Sequence, residues 1–103
     1  MIITTTPTIE GKKLEIIGMV RGSTVQTRHI GRDILAGLKT LVGGEIKSYT
    51  DMINKARDEA IDRMIADAKK KKADAIVNVR LVTAEVMQGA AEVLAYGTAV
   101  KIK

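Results

Sequence analysis

Cysteine, phenylalanine and tryptophan are absent from this chain of 103 residues, and proline and histidine occur once each. Without cysteine there is no disulfide framework, no thiolate metal centre and no thiol nucleophile. Tyr49 and Tyr96 are the whole aromatic complement. The core must therefore come from Ile, Val, Leu, Met and Ala, without the aromatic burial that anchors many small domains. A domain of this length buries only about 60–68% of its unfolded surface, so burial between subunits would reinforce it. No uncharged apolar stretch approaches the ~20 residues that a membrane-crossing helix needs, and no membrane association is expected. The opening MIITTTPTIEGKK lacks the basic-then-apolar order of a secretory signal, so the expected location is the cytoplasm. With no repeat or low-complexity tract, residues 1–103 read as one domain.

What is present in excess is positive charge: 17 Lys and Arg against 12 Asp and Glu, a net +5. Such a balance raises nucleic acid or an anionic surface as a partner. The longest basic run, Lys69-Lys70-Lys71-Lys72, falls where a helix should end, and there lysines complement the helix dipole. Two tyrosines make no stacking platform for single strands. The run reads as a solvated helix end, and no nucleic-acid partner is expected.

Residues 13–21 alternate, with Leu14, Ile16, Gly18 and Val20 on one face and Glu15, Ile17, Met19 and Arg21 on the other, which predicts a strand. A shorter extended piece, 2–6, stops at Pro7. Ile30, Ile34, Leu35, Leu38, Leu41 and Val42 recur at helical spacing, and Gly43-Gly44 should end that helix. A longer helix is predicted over 51–72, capped by Thr50. Ile53, Ala56, Ala60, Met64 and Ala68 form its apolar side, interrupted by Asp67, with Glu59–Arg63 and Asp67–Lys71 as surface pairs four residues apart. Strands 75–85 and 91–102, joined through Met87-Gln88-Gly89-Ala90, should close the chain as an antiparallel hairpin. This order predicts an α+β fold, an antiparallel sheet packed by a long helix.

The last strand is apolar on both faces: Val93, Ala95, Gly97 and Ala99 on one, Leu94, Tyr96, Val100 and Ile102 on the other. A helix covers one face of a two-layer domain. The pattern therefore predicts that the first helix covers part of the second and a neighbouring subunit the rest.

Several pieces of sequence, in order, complete the reading. They are Thr5-Thr6-Pro7-Thr8 with Glu10-Gly11, Arg32-Asp33 with Ala36-Gly37, Val42-Gly43-Gly44 with Tyr49, Lys55-Ala56-Arg57, Ala73-Asp74-Ala75-Ile76-Val77 and Gly97-Thr98-Ala99-Val100-Lys101. Together they resemble the YbjQ family, small bacterial and archaeal proteins labelled heavy-metal-binding. The chain departs from the family pattern at Lys71-Lys72-Ala73-Asp74, where a Leu-Gly-Ala-Asp type of turn is common. The resemblance implies a βαββ-type subunit assembled as a pentameric ring, with short extra strands at the subunit contacts. It supplies no metal-ligand motif.

A soft-metal site wants Cys, His or clustered Met. Met52 and Met64 read as core filler, and His29 in the Arg28-His29 turn reads as a surface residue. A metal site would need copies of His29 converging around a symmetry axis. Arg32 and Asp33 match the family motif. They read either as a ligand-contacting pair between subunits, with Tyr49 and the Thr4, Thr5 and Thr6 hydroxyls nearby, or as an interfacial ion pair with a cap. No nucleophile, base and orienting group stand out as a set, and Val42-Gly43-Gly44-Glu45 lacks the Lys-Ser or Lys-Thr of a phosphate loop. No enzyme and no cofactor are expected. The leading reading is a homo-oligomeric binding protein holding a metal ion or small anion between subunits. The alternatives are a purely structural ring and a nucleic-acid-associated protein.

Overall fold

Strand patterning in the sequence becomes three long strands, and the helical stripe becomes one long helix, in the computed structural model, which describes residues 1–27 and 43–103. With a short first strand, the elements in chain order are β1 (Ile2–Ile3), β2 (Leu14–Thr27), α1 (Gly43–Lys70), β3 (Ala75–Met87) and β4 (Ala90–Ile102). The fold is α+β: a four-stranded sheet ordered β1-β3-β4-β2 with α1 packed on one face. The three long strands are antiparallel neighbours. β1 joins β3 in parallel, so the sheet is mixed rather than wholly antiparallel. The chain beyond β1 stays on that edge: the N–H of Thr4 donates to the Ile76 carbonyl, and those of Val79 and Asn78 donate to the carbonyls of Thr4 and Thr6, each at 3.0 Å.

Helix α1 differs from expectation at both ends. It begins earlier than predicted, taking in Gly43-Gly44, and Thr50 lies inside it rather than capping it. The helix predicted over Ile30 to Val42 lies outside the described residues. At the far end α1 stops at Lys70. Lys72 takes φ 61°, its N–H bonds the Lys69 carbonyl, and the N–H of Ala73 bonds that of Ala68. This is a Schellman closure with lysine at the left-handed position.

Strand β2 runs six residues beyond the predicted Arg21, because its helix-facing positions there are Gly22, Thr24 and Gln26 rather than apolar. A bulge between Ile16 and Gly18 also changes the predicted faces. Ile17 and Val20 pack toward the helix, while Ile16 and Met19 lie on the opposite side. The β3–β4 turn is the tight pair Gln88-Gly89, with Gly89 at φ 77°.

The core is a seam of small residues. Ala56, Ala60, Met64 and Ala68 of α1 meet Val20, Ile76, Val79, Val93, Ala95 and Ala99, all buried. Close approach requires Gly22, since a Cβ there would collide with the helix backbone at Ala60 and Met64. Across the sheet a smaller cluster, Ala75, Val77 and Val100 with Ile9, Leu14 and Ile102, lies at the end where the N-terminal segment crosses. No other described residue covers the rest of that second face. Among the described residues no helix is long and apolar enough to cross a membrane.

Candidate functional site

Among the described residues, three regions bear on a candidate site. The first is the seam between α1 and the outer edge of β2. Arg63 Nη1 donates to the Ser23 carbonyl at 2.6 Å, Asp67 Oδ2 accepts the Arg21 N–H at 3.2 Å, and Lys71 Nζ donates to the Met19 carbonyl at 3.3 Å. Four residues of helix rise about 6.0 Å and two residues of strand about 6.6 Å. Successive helix turns therefore meet successive outward-pointing backbone groups. Lys71 also pairs with Asp67 at 3.4 Å, as expected for that spacing. The Arg21 N–H, helped by Lys71, holds the Asp67 carboxyl below the ordinary carboxylate range, with burial opposing. This row seals the β2 edge, a use the sequence did not suggest for residues read as surface pairs.

One turn earlier on the same row, Glu59 is half-buried and turns inward. Its Oε2 accepts Gln26 Nε2 at 2.6 Å and Thr24 Oγ1 at 3.2 Å, and Gln26 Nε2 also reaches Thr24 Oγ1 at 3.3 Å. The cluster satisfies its own members, as buried polar groups must. Sequence reading missed it because β2 was taken to end before Thr24.

The second region is the threonine segment. Thr4 and Thr6 hydroxyls share a 2.9 Å hydrogen bond, and Thr6 Oγ1 donates to the Thr8 carbonyl at 2.7 Å. Arg80 Nη1 donates to the Thr5 carbonyl at 2.9 Å and to that of Val79 at 2.8 Å. Thr5 and Thr6 are exposed beside this guanidinium, a neighbour the sequence did not indicate.

Tyr49 forms the third region. It packs, half-buried, on Met52, Ile53 and Ala91 near the start of β4. Arg80 instead pairs with Tyr96, five residues along β4, so about 17 Å of strand separates Tyr49 from the threonine segment. One chain does not bring Tyr49, Thr5 and Thr6 together. His29, Arg32 and Asp33 lie outside the described residues.

Among the described residues, no three His, Cys, Asp or Glu side chains are grouped to hold a metal ion.

Comparison with known proteins places these features in a family. The family described as "Putative heavy-metal-binding" (YbjQ) matches residues 1–103. A UPF0145 protein of Thermosipho africanus is 61% identical, across 100% of this chain and 96% of its own length. One from Methanosarcina acetivorans is 58% identical, across 99% and 97%. A crystal structure from Pediococcus pentosaceus, of a protein of unknown function assigned to the DUF74 family, superposes with a TM-score of 0.71 at 20% identity. It covers 100% of this chain and 98% of its own, and shares the fold.

Proposed function

We propose that this chain, which belongs to the YbjQ family, is a non-catalytic cytoplasmic protein that works as a homo-pentameric ring with a small ligand held between subunits. The observation that carries the ring is a sheet face that no other described residue covers. Ile16 is 74% and Met19 66% exposed, beside exposed Val25 and Val82 and half-buried Leu94 and Tyr96. Apolar area of this extent on one face favours a protein partner.

The edge of β3 supports the same reading. From Leu81 to Gln88 every residue is exposed on both faces, since α1 lies over β2 and β4. No lysine or proline guards this stretch, and Glu85 is its single charge, whereas solitary sheet edges are usually blunted. Shape agrees: the radius of gyration is 17.3 Å against about 13 Å for a compact domain of this length. An extended subunit with a bare face and a bare edge gains its missing burial from copies of itself.

For the ligand, one histidine and no cysteine per chain favour a small anion over a soft metal. Thr5, Thr6 and Arg80 from one subunit, with Arg32, Asp33 and Tyr49 from another, are the groups to test. Native mass spectrometry of the intact assembly tests both halves of the reading. Five chains plus a constant extra mass is the expected result. Five chains with no extra mass would leave a structural ring, and a single chain would remove the ring itself.

A further inference from the structure

Among the described residues, net positive charge gathers at one end of the molecule. Helix α1 ends at Lys70, with Lys71 tied to Met19, but β2 and β4 continue past that point to Leu14 and Ile102. On the helix side of the sheet this leaves a step, with Lys69, Lys70 and Lys72 as its riser. Its tread is formed by Glu15 and Lys101, which pair across the strands, and by Lys103, whose Nζ lies 3.1 Å from Glu15 Oε2. Lys13 stands opposite, its carbonyl accepting the Lys103 N–H at 2.8 Å. Asp74, at the foot of the riser, is occupied by the Ile102 N–H at 2.8 Å.

Six lysines against Glu15 and Asp74 leave a net +4 here. The run at 69–72 alone read as a solvated helix end; folding adds three lysines distant in sequence. Of the helix carbonyls that would repel an anion, those of Asp67, Ala68 and Lys69 are already engaged by the N–H groups of Lys71, Lys72 and Ala73.

We infer that this step binds the phosphodiester backbone of duplex nucleic acid, without reading its sequence. A step between a helix end and a sheet receives a ridge of phosphates, where a planar bilayer would touch only its lip. The lysines are point charges on flexible stems, suited to phosphate rather than to base edges. No aromatic side chain is present there to stack bases.

The test is fluorescence anisotropy of the full-length chain with a mixed-sequence duplex of about 20 base pairs, titrated from about 50 to 200 mM salt. Neutralising about four phosphates per engaged chain gives a slope of log K against log salt near −3.6, and about a hundred-fold loss across that range. The double variant Lys69→Gln/Lys101→Gln is expected to reduce the slope by about 1.8. Lys55→Gln/Arg57→Gln, with the same charge change on the exposed middle of α1, should leave it in place. Circular dichroism checks folding, and Lys13→Gln/Lys72→Gln serves as a second pair. An equal effect of the control pair, no salt-dependent binding by the unaltered chain, or equal binding to phosphatidylglycerol vesicles would each overturn the inference.

Discussion

Replacing Lys72 by glycine should stabilise the protein, and the size of the effect follows from the helix end. Lys72 holds φ 61° while its N–H and that of Ala73 close the last turn of α1. A residue with a Cβ pays about 1–2 kcal/mol to occupy the left-handed region. Glycine removes that cost but gives the unfolded chain extra freedom worth about 0.4–1 kcal/mol. The net gain is about 1 kcal/mol, a rise in Tm of about 4–8 °C for a domain of this size. Urea melts at matched protein concentration measure it, since assembly makes apparent stability concentration-dependent. Lys72→Ala separates charge from conformation and should be near neutral, while Lys72→Val, with branching at Cβ, should lose stability. A glycine variant no more stable than the alanine variant would refute the reasoning.

Gly22→Ala should cost at least about 2–3 kcal/mol, because the added methyl meets helix backbone rather than a movable side chain; a change within ~0.5 kcal/mol would mean the helix shifts freely. Asp67 is depressed in the folded state, so its contribution is full above its unfolded value of about 3.9 and is lost as pH falls through the lower folded value. In Asp67→Asn the acid-side fall in stability should shrink, and an unchanged profile from about pH 2 to 4 would contradict the β2 edge contact. Lys69→Gln/Lys70→Gln should leave assembly intact and change stability by less than ~1 kcal/mol in the same melts. Calorimetry at neutral pH should show only weak heats for zinc and copper, whereas one submicromolar ion per ring, lost in His29→Ala, would establish a symmetry-built metal site.

The helix stripe was legible because Ile53, Ala56, Ala60, Met64 and Ala68 keep strict helical spacing and are all buried. The C-terminal hairpin was legible through its alternation and Gly89. The second apolar face of β4 was visible as well. What escaped was wherever packing used polar or small residues. Thr24 and Gln26 face the helix through Glu59, so an apolar count ended β2 early. The bulge at Ile16/Gly18 moved Met19 to the other face, and no periodicity records an inserted residue. The row Arg63, Asp67 and Lys71 reads as ordinary helix-surface charge until β2 is laid beside it. The site residues Thr5, Thr6 and Tyr49 were chosen by resemblance, and one chain holds them apart.

The ring is tested most directly by light scattering coupled to size exclusion, run on the unaltered chain and on Leu94→Lys. Leu94 is the better probe because it is half-buried on the bare face, whereas Val100 is already covered by its own chain. The account predicts a single species of about five subunits by resemblance to the family, and smaller or aggregated species once a lysine charge is placed on that face. A monodisperse monomer of the unaltered chain at micromolar concentration would contradict it.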